Sequence, residues 1–190
     1  EVLENIIGRV DCLIIGGGMA FTFLKAQGKE VGDSLVEVEL IETAKTVMEK
    51  AKAKNVALLL PTDCVIAEEL KAGVPTKTVS ANDIPKGWKG LDIGPDTVKV
   101  FSEAIRGSKT VVWNGPMGVF ELPEFSSGTF AIADCIANAP VMSIVGGGDS
   151  VSALKKSGNQ DKVTFVSTAG GAFMEMLEGK VLPGVKALDR

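Results

Sequence analysis

Short runs of apolar and often β-branched residues recur along the chain. They lie at residues 12–15, 56–60, 110–113, 141–145 and 163–166. Each run is almost entirely apolar rather than alternating, which is typical of strands that are covered on both faces. We therefore predict five buried β-strands at these positions.

Patterns of helical period lie between these runs. The clearest covers residues 36–54, with an apolar stripe on one face and glutamates and lysines on the other. The stripe consists of Leu40, Ala44, Val47, Met48 and Ala51. Further helices are predicted at residues 20–26, 96–106, 128–138, 151–156 and 171–178. Because strands alternate with helices, we predict a three-layer α/β fold, a mostly parallel sheet with helices on both faces, doubly wound and Rossmann-like, in a single domain over residues 1–190.

One segment, residues 67–95, does not follow this alternation. It is rich in Gly, Pro, Thr and Lys, and it includes GVPTKTVSANDIPKGWKGLDIGP. Such a composition predicts an excursion of short strands and turns. Trp88, Leu91 and Ile93 within the segment indicate that it packs onto the body of the domain.

Glycine is concentrated where predicted strands end. Four such ends read LIIGGGMAF, VVWNGPMGVFE, SIVGGGDSV and FVSTAGGAF, and each is followed by a predicted helix. In a parallel α/β sheet these turns lie along one edge, where open sheets bind ligands. Glycine lets backbone N–H groups approach a ligand, and helix N-termini attract phosphate. Four turns of this kind favour a phosphate-bearing ligand over ordinary turn chemistry.

The standard nucleotide fingerprints are not met at these turns. The pattern G-x-G-x-x-G fails because Phe21 and Val151 stand where the third glycine belongs, and G-x-x-x-x-G-K-[ST] does not occur. The turns also carry no lysine or arginine to neutralise a transferring phosphoryl group. The residues alone therefore favour nucleotide binding over catalysis of transfer at this edge.

The few polar residues on this edge each have two interpretations. Asp149 could hold magnesium through a carboxylate that bridges to phosphate, or it could cap the following helix together with Ser150. Asn114 and Glu121 could contact a sugar or a phosphate, or they could stabilise a turn, and the turn interpretation is slightly favoured. The spacing of the residues leaves these alternatives open.

The composition narrows the chemistry further. The chain has no histidine and no tyrosine, so Ser-His triads, zinc-water sites and two-histidine metal sites cannot be built from it alone. The net charge of −4 and the presence of only three arginines speak against a nucleic-acid partner. Cys12, Cys64 and Cys135 are widely spaced, as expected for buried thiols in a reducing compartment. No apolar run reaches the roughly 18 residues of a membrane span, so we expect no membrane partner.

Taken in order, the motifs resemble the phosphoglycerate kinase family. The matching segments are IIGGGMAFTFLK, GWKGLDIGP, VWNGPMGVFE, VGGGDS, DKVTFVSTAGGA and LEGKVLPGV, and they span almost the whole chain. The resemblance covers the carboxyl-terminal, nucleotide-binding domain of a two-domain family. It implies magnesium-dependent phosphoryl transfer between ATP and 3-phosphoglycerate, giving ADP and 1,3-bisphosphoglycerate, in glycolysis or the Calvin cycle. It also implies a monomer located in the cytoplasm, or in a plastid if the source is a photosynthetic eukaryote.

The resemblance implies roles for individual residues around the nucleoside. Glu121 would bind the ribose hydroxyls, and Asn114 would lie near the phosphates. The adenine slot would be lined by Gly17, Gly18, Gly90, Leu91, Pro116 and Val119.

Further residues are implied around the phosphates. Gly147, Gly148 and Ser150 would offer N–H and hydroxyl donors, with Asp149 as the carboxylate for Mg²⁺. The helix opening at Gly170 and Gly171 would direct its N-terminus toward the transferred phosphoryl group. Direct in-line transfer of this kind depends on positioning and charge neutralisation, so it requires no histidine base.

The chain also departs from the family pattern. Its first residues share one helical face with no cap before them, so we expect the chain to begin inside a helix of a longer protein. The family's GGAKVxxKI segment would come immediately before Glu1, and the amino-terminal domain that binds phosphoglycerate is absent. Ala169 stands where the family usually has glycine, and Phe173 where a small residue is common.

We therefore expect the chain alone to bind MgADP or MgATP weakly without turnover. Two alternatives stay open. One is a nicotinamide-dependent oxidoreductase on a noncanonical doubly wound fold, against which the missing dinucleotide fingerprint counts. The other is a non-enzymatic nucleotide-binding module.

Overall fold

Strands and helices alternate along the part of the chain that the computed structural model describes, which comprises residues 2–167, 175, 179 and 180. The described helices are α1 Val2–Ile6, α2 Gly17–Ala26, α3 Ile41–Ala53, α4 Pro95–Arg106, α5 Ser127–Asn138 and α6 Gly148–Lys156. The described strands are β1 Cys12–Ile14, β2 Glu30–Val31, β3 Ala57–Leu59, β4 Asp63–Ala67, β5 Lys77–Ser80, β6 Asp83–Ile84, β7 Lys89–Ile93, β8 Thr110–Asn114, β9 Met142–Gly146 and β10 Phe165–Val166. Short 3-10 turns lie at Val38–Leu40, Pro123–Phe125 and Gln160–Lys162.

The bounds of several helices differ from their predicted positions. The helix predicted over residues 36–54 begins only at Ile41, after a 3-10 turn that contains Leu40. In contrast, α2 and α6 each begin three residues earlier than predicted, at Gly17 and Gly148, because glycines form their first turns. The helix predicted at residues 171–178 lies outside the described residues, apart from Glu175.

The predicted α/β fold with mostly parallel strands is confirmed. β1 pairs in parallel with β3, and β9 pairs in parallel with β8 and β10. Within the described residues these strands form two hydrogen-bonded groups, of two and three strands, and not one continuous sheet. A further parallel pair joins β2 and β6.

The excursion predicted at residues 67–95 contains short strands, of which β6 pairs in parallel with β2, whereas β5 and β7 pair antiparallel with β4. Its strands β5 and β7 flank β4, which the sequence pattern did not predict. As expected, the segment packs onto the body of the domain. Ile93 belongs to the main core, the cluster that also contains Phe101, Trp113 and Val145. Trp88 packs against a second cluster, which contains Phe21 of α2. Of the described helices, none combines the length and apolar character that a membrane span requires.

Helices cover the two strand groups differently. Leu13 of β1 and Leu58 of β3 face a cluster with α1, α2 and α3, whereas Ile14 and Leu59 pack against the main core. The β8–β9–β10 group packs one face against α4, α5 and α6 through Trp113 and Val145. These three helices all lie on that face.

The opposite face of the β8–β9–β10 group is open in the described part of the chain. Its Val112, Met142 and Phe165 are 44%, 51% and 59% exposed. In the described part of the chain α4, α5 and α6 share the other face. The helix predicted at residues 171–178 lies outside the described residues apart from Glu175, so coverage of this second face stays a prediction.

Candidate functional site

Three of the four glycine-rich turns meet at the carboxyl ends of β1, β8 and β9. We call them the β1 turn (residues 16–18), the β8 turn (residues 115–121) and the β9 turn (residues 146–148). The N–H of Gly17 donates to the carbonyl oxygen of Met117 at 3.2 Å. The N–H of Gly115 donates to Oγ of Ser150, in the first turn of α6, at 2.6 Å. The β8 turn therefore joins the other two, as expected for turns that share one edge.

Two glycines are required where these turns touch. Gly17 has φ of +62°, and a Cβ built on it would lie 2.7 Å from the carbonyl oxygen of Pro116. Gly147 has φ of +86°, and a Cβ there would overlap with Oδ1 of Asn114. Both the left-handed backbone and the close approach exclude an ordinary side chain. Asn114 thus lies against the β9 turn, which fits the turn-stabilising interpretation of this residue.

The N-termini of α4 and α5 each donate hydrogen bonds to a buried carboxylate. Asp63 accepts hydrogen bonds from the N–H groups of Asp96 and Thr97 at 3.1 Å and 2.8 Å, in the first turn of α4. Asp92 accepts a hydrogen bond from the N–H of Gly128 at 2.7 Å, at the start of α5. These acceptors satisfy donors that the helices cannot pair internally.

The helices that begin at the candidate site receive no such cap. α2 and α6 start after Gly16 and Gly147, and among the described residues no carboxylate accepts a hydrogen bond from their first N–H groups. The positive ends of their dipoles therefore lie beside the converging turns. The N–H of Gly17 is already paired with Met117, whereas the first N–H groups of α6 make no hydrogen bond to a described residue. This arrangement favours an anion such as phosphate.

Asp149 and Ser150 follow the β9 turn and lie in opposite environments. Ser150 is fully buried and accepts the hydrogen bond from Gly115, so its hydroxyl is directed into the protein. Asp149 is exposed, and its carboxylate makes no hydrogen bond within the part of the chain that the structure describes. The helix-capping alternative is thus not supported for Asp149 in the described structure, and a role at magnesium stays a prediction.

The donor chemistry at Asp149 fits Mg²⁺ held jointly with a ligand. Among the described residues, no group of three or more acidic or thiol side chains could hold a metal ion alone. Magnesium in proteins is commonly bound by one or two carboxylates together with phosphate oxygens and water. An exposed Asp149 beside the first N–H groups of α6 meets this description.

The β8 turn is anchored on both sides by backbone and hydroxyl groups. The N–H of Val119 donates to the carbonyl oxygen of Leu91 at 2.9 Å. On the other side, the buried hydroxyl of Thr129 accepts from the N–H groups of Met117 and Gly118 at 3.0 Å and 3.1 Å. Glu121, at the end of the turn, is exposed and makes no hydrogen bond to a described residue. Residues other than Glu121 therefore stabilise the turn.

The residues predicted to line an adenine slot lie around these contacts. Gly17 and Pro116 touch each other, and Val119 is bonded to Leu91. Gly90 is buried, because the ring of Phe21 occupies the space that a Cβ would fill. Gly90 thus allows close packing against Phe21, and its role in binding stays a prediction.

Leu35 is a residue that sequence reasoning missed. It is 68% exposed, and its Cδ2 lies 3.1 Å from the position of a Cβ on Gly18. A large exposed apolar side chain beside a glycine offers a flat surface on which an aromatic base could rest. Its signal in the sequence was a leucine in the polar stretch GDSLVE, outside any predicted strand.

Two buried side chains, Asp92 and Cys64, have pKa values well above the ordinary values for their residue types. Burial raises the pKa of Asp92 to about 7, although hydrogen bonds from Gly128 and Ile93 act in the opposite direction. Burial also raises the pKa of Cys64 to about 12, with smaller contributions from the charges of Asp63 and Asp92. A thiol with this pKa stays protonated, so Cys64 is not a nucleophile.

The fourth glycine turn lies outside the described residues. It contains Gly170 and Gly171, which were predicted to face the transferred group, and the departures Ala169 and Phe173. Their roles stay predictions.

Comparison with known proteins relates the whole chain to one group of enzymes. The sequence model of the family described as Phosphoglycerate kinase matches residues 1–180. The phosphoglycerate kinase of Geotalea daltonii is 55% identical over 191 residues, which cover 100% of this chain and 48% of that protein. The phosphoglycerate kinase of a Roseiflexus species is 56% identical over 188 residues, covering 99% of this chain and 48% of that protein. The chain thus spans about half the length of these relatives.

Solved structures give the same relationship. The phosphoglycerate kinase from Coxiella burnetii superposes with a TM-score of 0.95 at 46% identity, over 98% of this chain and 48% of that one. The enzyme from Pyrococcus horikoshii superposes with a TM-score of 0.84 at 27% identity, over 98% of this chain and 47% of that one.

Proposed function

The chain belongs to the phosphoglycerate kinase family, and from this we propose that it is the carboxyl-terminal, nucleotide-binding half of a phosphoglycerate kinase. In the whole enzyme it takes part in reversible, magnesium-dependent phosphoryl transfer between ATP and 3-phosphoglycerate. The observation that carries this proposal is the convergence of three glycine-rich turns with two helix N-termini to which no described residue contributes a carboxylate cap. On this proposal the protein acts as a monomer in the cytoplasm, with neither nucleic acid nor a membrane as a partner.

The adenosine part of the nucleotide binds against the surface where the β1 turn and the β8 turn meet. Gly17 and Gly18 let the base approach the backbone of the β1 turn, and Pro116 lies next to Gly17 in the β8 turn. The exposed side chain of Leu35 provides apolar contact beside Gly18. Glu121, exposed at the end of the β8 turn, accepts hydrogen bonds from the ribose hydroxyls.

The phosphates lie at the N-terminus of α6. Backbone N–H groups of Gly147 and Gly148 donate to phosphate oxygens, and no Cβ blocks their approach. Asp149, with its exposed carboxylate, would hold Mg²⁺. When bound, the metal neutralises charge on the phosphates. The hydroxyl of Ser150 fixes the position of the helix by accepting the hydrogen bond from Gly115, and this bond leaves its own proton for donation to a phosphate oxygen.

This half of the enzyme contributes positioning rather than proton transfer. The acceptor atom of 3-phosphoglycerate is a carboxylate oxygen, which is already ionised at neutral pH, so the reaction needs no histidine base. The chain's task is to hold the nucleotide so that its terminal phosphate faces the acceptor in line. Groups that bind the phosphoglycerate belong to the other half of the enzyme, and Gly170 and Gly171 are proposed to face the transferred phosphoryl group.

Calorimetric titration of the chain with MgADP, metal-free ADP and NADH tests this proposal. We expect weak binding of ADP that Mg²⁺ strengthens, no binding of NADH, and no turnover of ATP with 3-phosphoglycerate in a coupled assay. Binding of NADH in preference to ADP would instead favour the oxidoreductase alternative. Near-full activity of the 190 residues alone would show that the missing half is not needed.

A further inference from the structure

One buried titratable side chain beside the candidate site has no part in the function proposed above. It is the carboxyl group of Asp92 on β7, which is 3% exposed. Its Oδ1 accepts a hydrogen bond from the N–H of Ile93 at 2.9 Å, and its Oδ2 accepts one from the N–H of Gly128 at 2.7 Å. Both oxygens are therefore committed to backbone donors, which a side chain with only one acceptor could not satisfy together.

The same carboxyl group also determines the packing of two glycines. A Cβ on Gly118, in the β8 turn, would overlap with Oδ1 of Asp92, and so would a Cβ on Gly128, in α5. Two different elements thus lie in direct contact with one side chain. Asp92 fills the space where β7, the β8 turn and α5 meet.

The residues next to these contacts hold the β8 turn. Thr129 follows Gly128 and accepts hydrogen bonds from two N–H groups of the turn. Leu91 precedes Asp92, and its carbonyl oxygen accepts the hydrogen bond from Val119. A change in the spacing between β7 and α5 would therefore be transmitted to the turn from both sides.

We propose that Asp92 is a positioning residue for the nucleotide site. It fixes α5 against β7, and it thereby holds the β8 turn, with Pro116 and Val119, where these residues can contact the adenosine part of a nucleotide. This inference rests on the proposed function, although Asp92 itself touches no ligand.

Asp63 provides a matched control within the same chain. It is also buried, it also accepts hydrogen bonds from the first turn of a helix, and a Cβ on Gly94 would also overlap with its carboxylate. The groups that contact this carboxylate lie in α4 and at Gly94, outside the β8 turn. A general loss of stability should therefore affect both aspartates, whereas a positioning effect should be specific to Asp92.

The first experiment compares MgADP affinity in the wild-type chain and in the variants Asp92→Asn and Asp63→Asn. In Asp92→Asn the new amide can accept only one of the two backbone N–H groups, and we expect MgADP binding to weaken by about tenfold. Asp63→Asn should change the affinity less than about twofold, even where urea denaturation shows a similar loss of stability. An equal loss of affinity in both variants, or none in Asp92→Asn, would overturn the proposal.

A second experiment measures amide hydrogen exchange, which requires no nucleotide. It includes a further variant, so that the test does not depend on whether Asp92→Asn folds. Gly118→Ala keeps the carboxyl group but adds the Cβ that overlaps with it. We expect faster amide hydrogen exchange at residues 115–121 in Gly118→Ala and in Asp92→Asn, and unchanged exchange there in Asp63→Asn. If the wild-type chain does not bind ADP, the proposed function fails, but the exchange data still test the link between Asp92 and the turn. Unchanged exchange at residues 115–121 in Gly118→Ala would count against that link.

Discussion

The buried hydroxyl oxygen of Ser150 accepts a hydrogen bond from the N–H of Gly115 at 2.6 Å. This bond connects the first turn of α6 to the β8 turn, two segments that follow different strands. The serine of the motif GGGDS therefore links two turns of the candidate site. Its role as a hydroxyl donor to phosphate, which the family resemblance implies, stays a prediction.

Removal of this hydroxyl should destabilise the protein. In Ser150→Ala the partly buried N–H of Gly115 loses its acceptor, which typically costs about 1 kcal/mol. Ser152→Ala is the matched control on the same helix, and it should stay within about 0.5 kcal/mol of the wild type. Urea denaturation gives both values, and equal stabilities for the two variants would contradict the link.

Neighbouring glycines at the start of α6 should respond differently to alanine. Gly147→Ala should lose more than about 1 kcal/mol of stability, because φ is positive and the new Cβ overlaps with Asn114. A Cβ on Gly148 meets nothing within 4 Å, so Gly148→Ala should fold as stably as the wild type. The same open space is where we propose that phosphate binds, so Gly148→Ala should bind ADP more weakly. Denaturation and calorimetry distinguish these effects, and full ADP affinity in Gly148→Ala would argue against phosphate at this glycine.

Asp149 should determine how much magnesium strengthens nucleotide binding. In Asp149→Ala we expect metal-free ADP to bind as in the wild-type chain, and the gain in affinity on adding Mg²⁺ to be largely lost. The control is Asp161→Ala, because Asp161 is an exposed aspartate in the 3-10 turn that follows α6. In the complete enzyme, the same change should lower turnover much more than it lowers metal-free binding. Unchanged turnover would leave Asp149 without a role at the metal.

The side chain of Leu35 should contribute to the affinity for ADP and not to the stability of the fold. Leu35 and Val38 are 68% and 70% exposed, and both lie between β2 and α3. Truncation of either to alanine should change stability by less than about 0.5 kcal/mol. Only Leu35→Ala should weaken ADP binding, by roughly threefold to tenfold, because only Leu35 lies beside Gly18. Equal ADP affinities in the two variants would exclude Leu35 from the base-binding surface.

Asp92 should make stability depend on pH. Burial raises its pKa from the ordinary value of 3.8 to about 7, so between these pH values the folded chain retains a proton that the unfolded chain releases. The stabilising contribution of this group is therefore complete below the lower value and is lost as the pH rises through about 7.

An asparagine at this position does not titrate, so Asp92→Asn removes this dependence. The stability of Asp92→Asn relative to the wild type should increase between pH 4 and pH 7, by on the order of 4 kcal/mol. Urea denaturation of both chains at a series of pH values measures the difference. A difference that stays constant over this range would show that Asp92 has an ordinary pKa.

The sequence alone was sufficient for the class of fold and for the family. Apolar runs and helical periodicity are local properties, so the alternation of strands and helices and the glycine-rich ends of β1, β8 and β9 were predicted correctly. The order of the motifs was also enough to recognise the phosphoglycerate kinase family, which the comparisons confirm. Errors remained where local patterns are ambiguous, as for β4, which was missed, and α3, which begins at Ile41 and not at residue 36.

Only the tertiary structure decided how the turns are joined. The bond between Gly115 and Ser150 and the contacts of Asp92 with Gly118 and Gly128 link residues that are distant along the chain. The exposure of Leu35 beside Gly18 has the same origin. None of these relationships has a periodic signal, because they arise when separate elements pack and when buried polar groups must find partners. The sequence determined which residues could form a nucleotide site, and packing determined which of them touch.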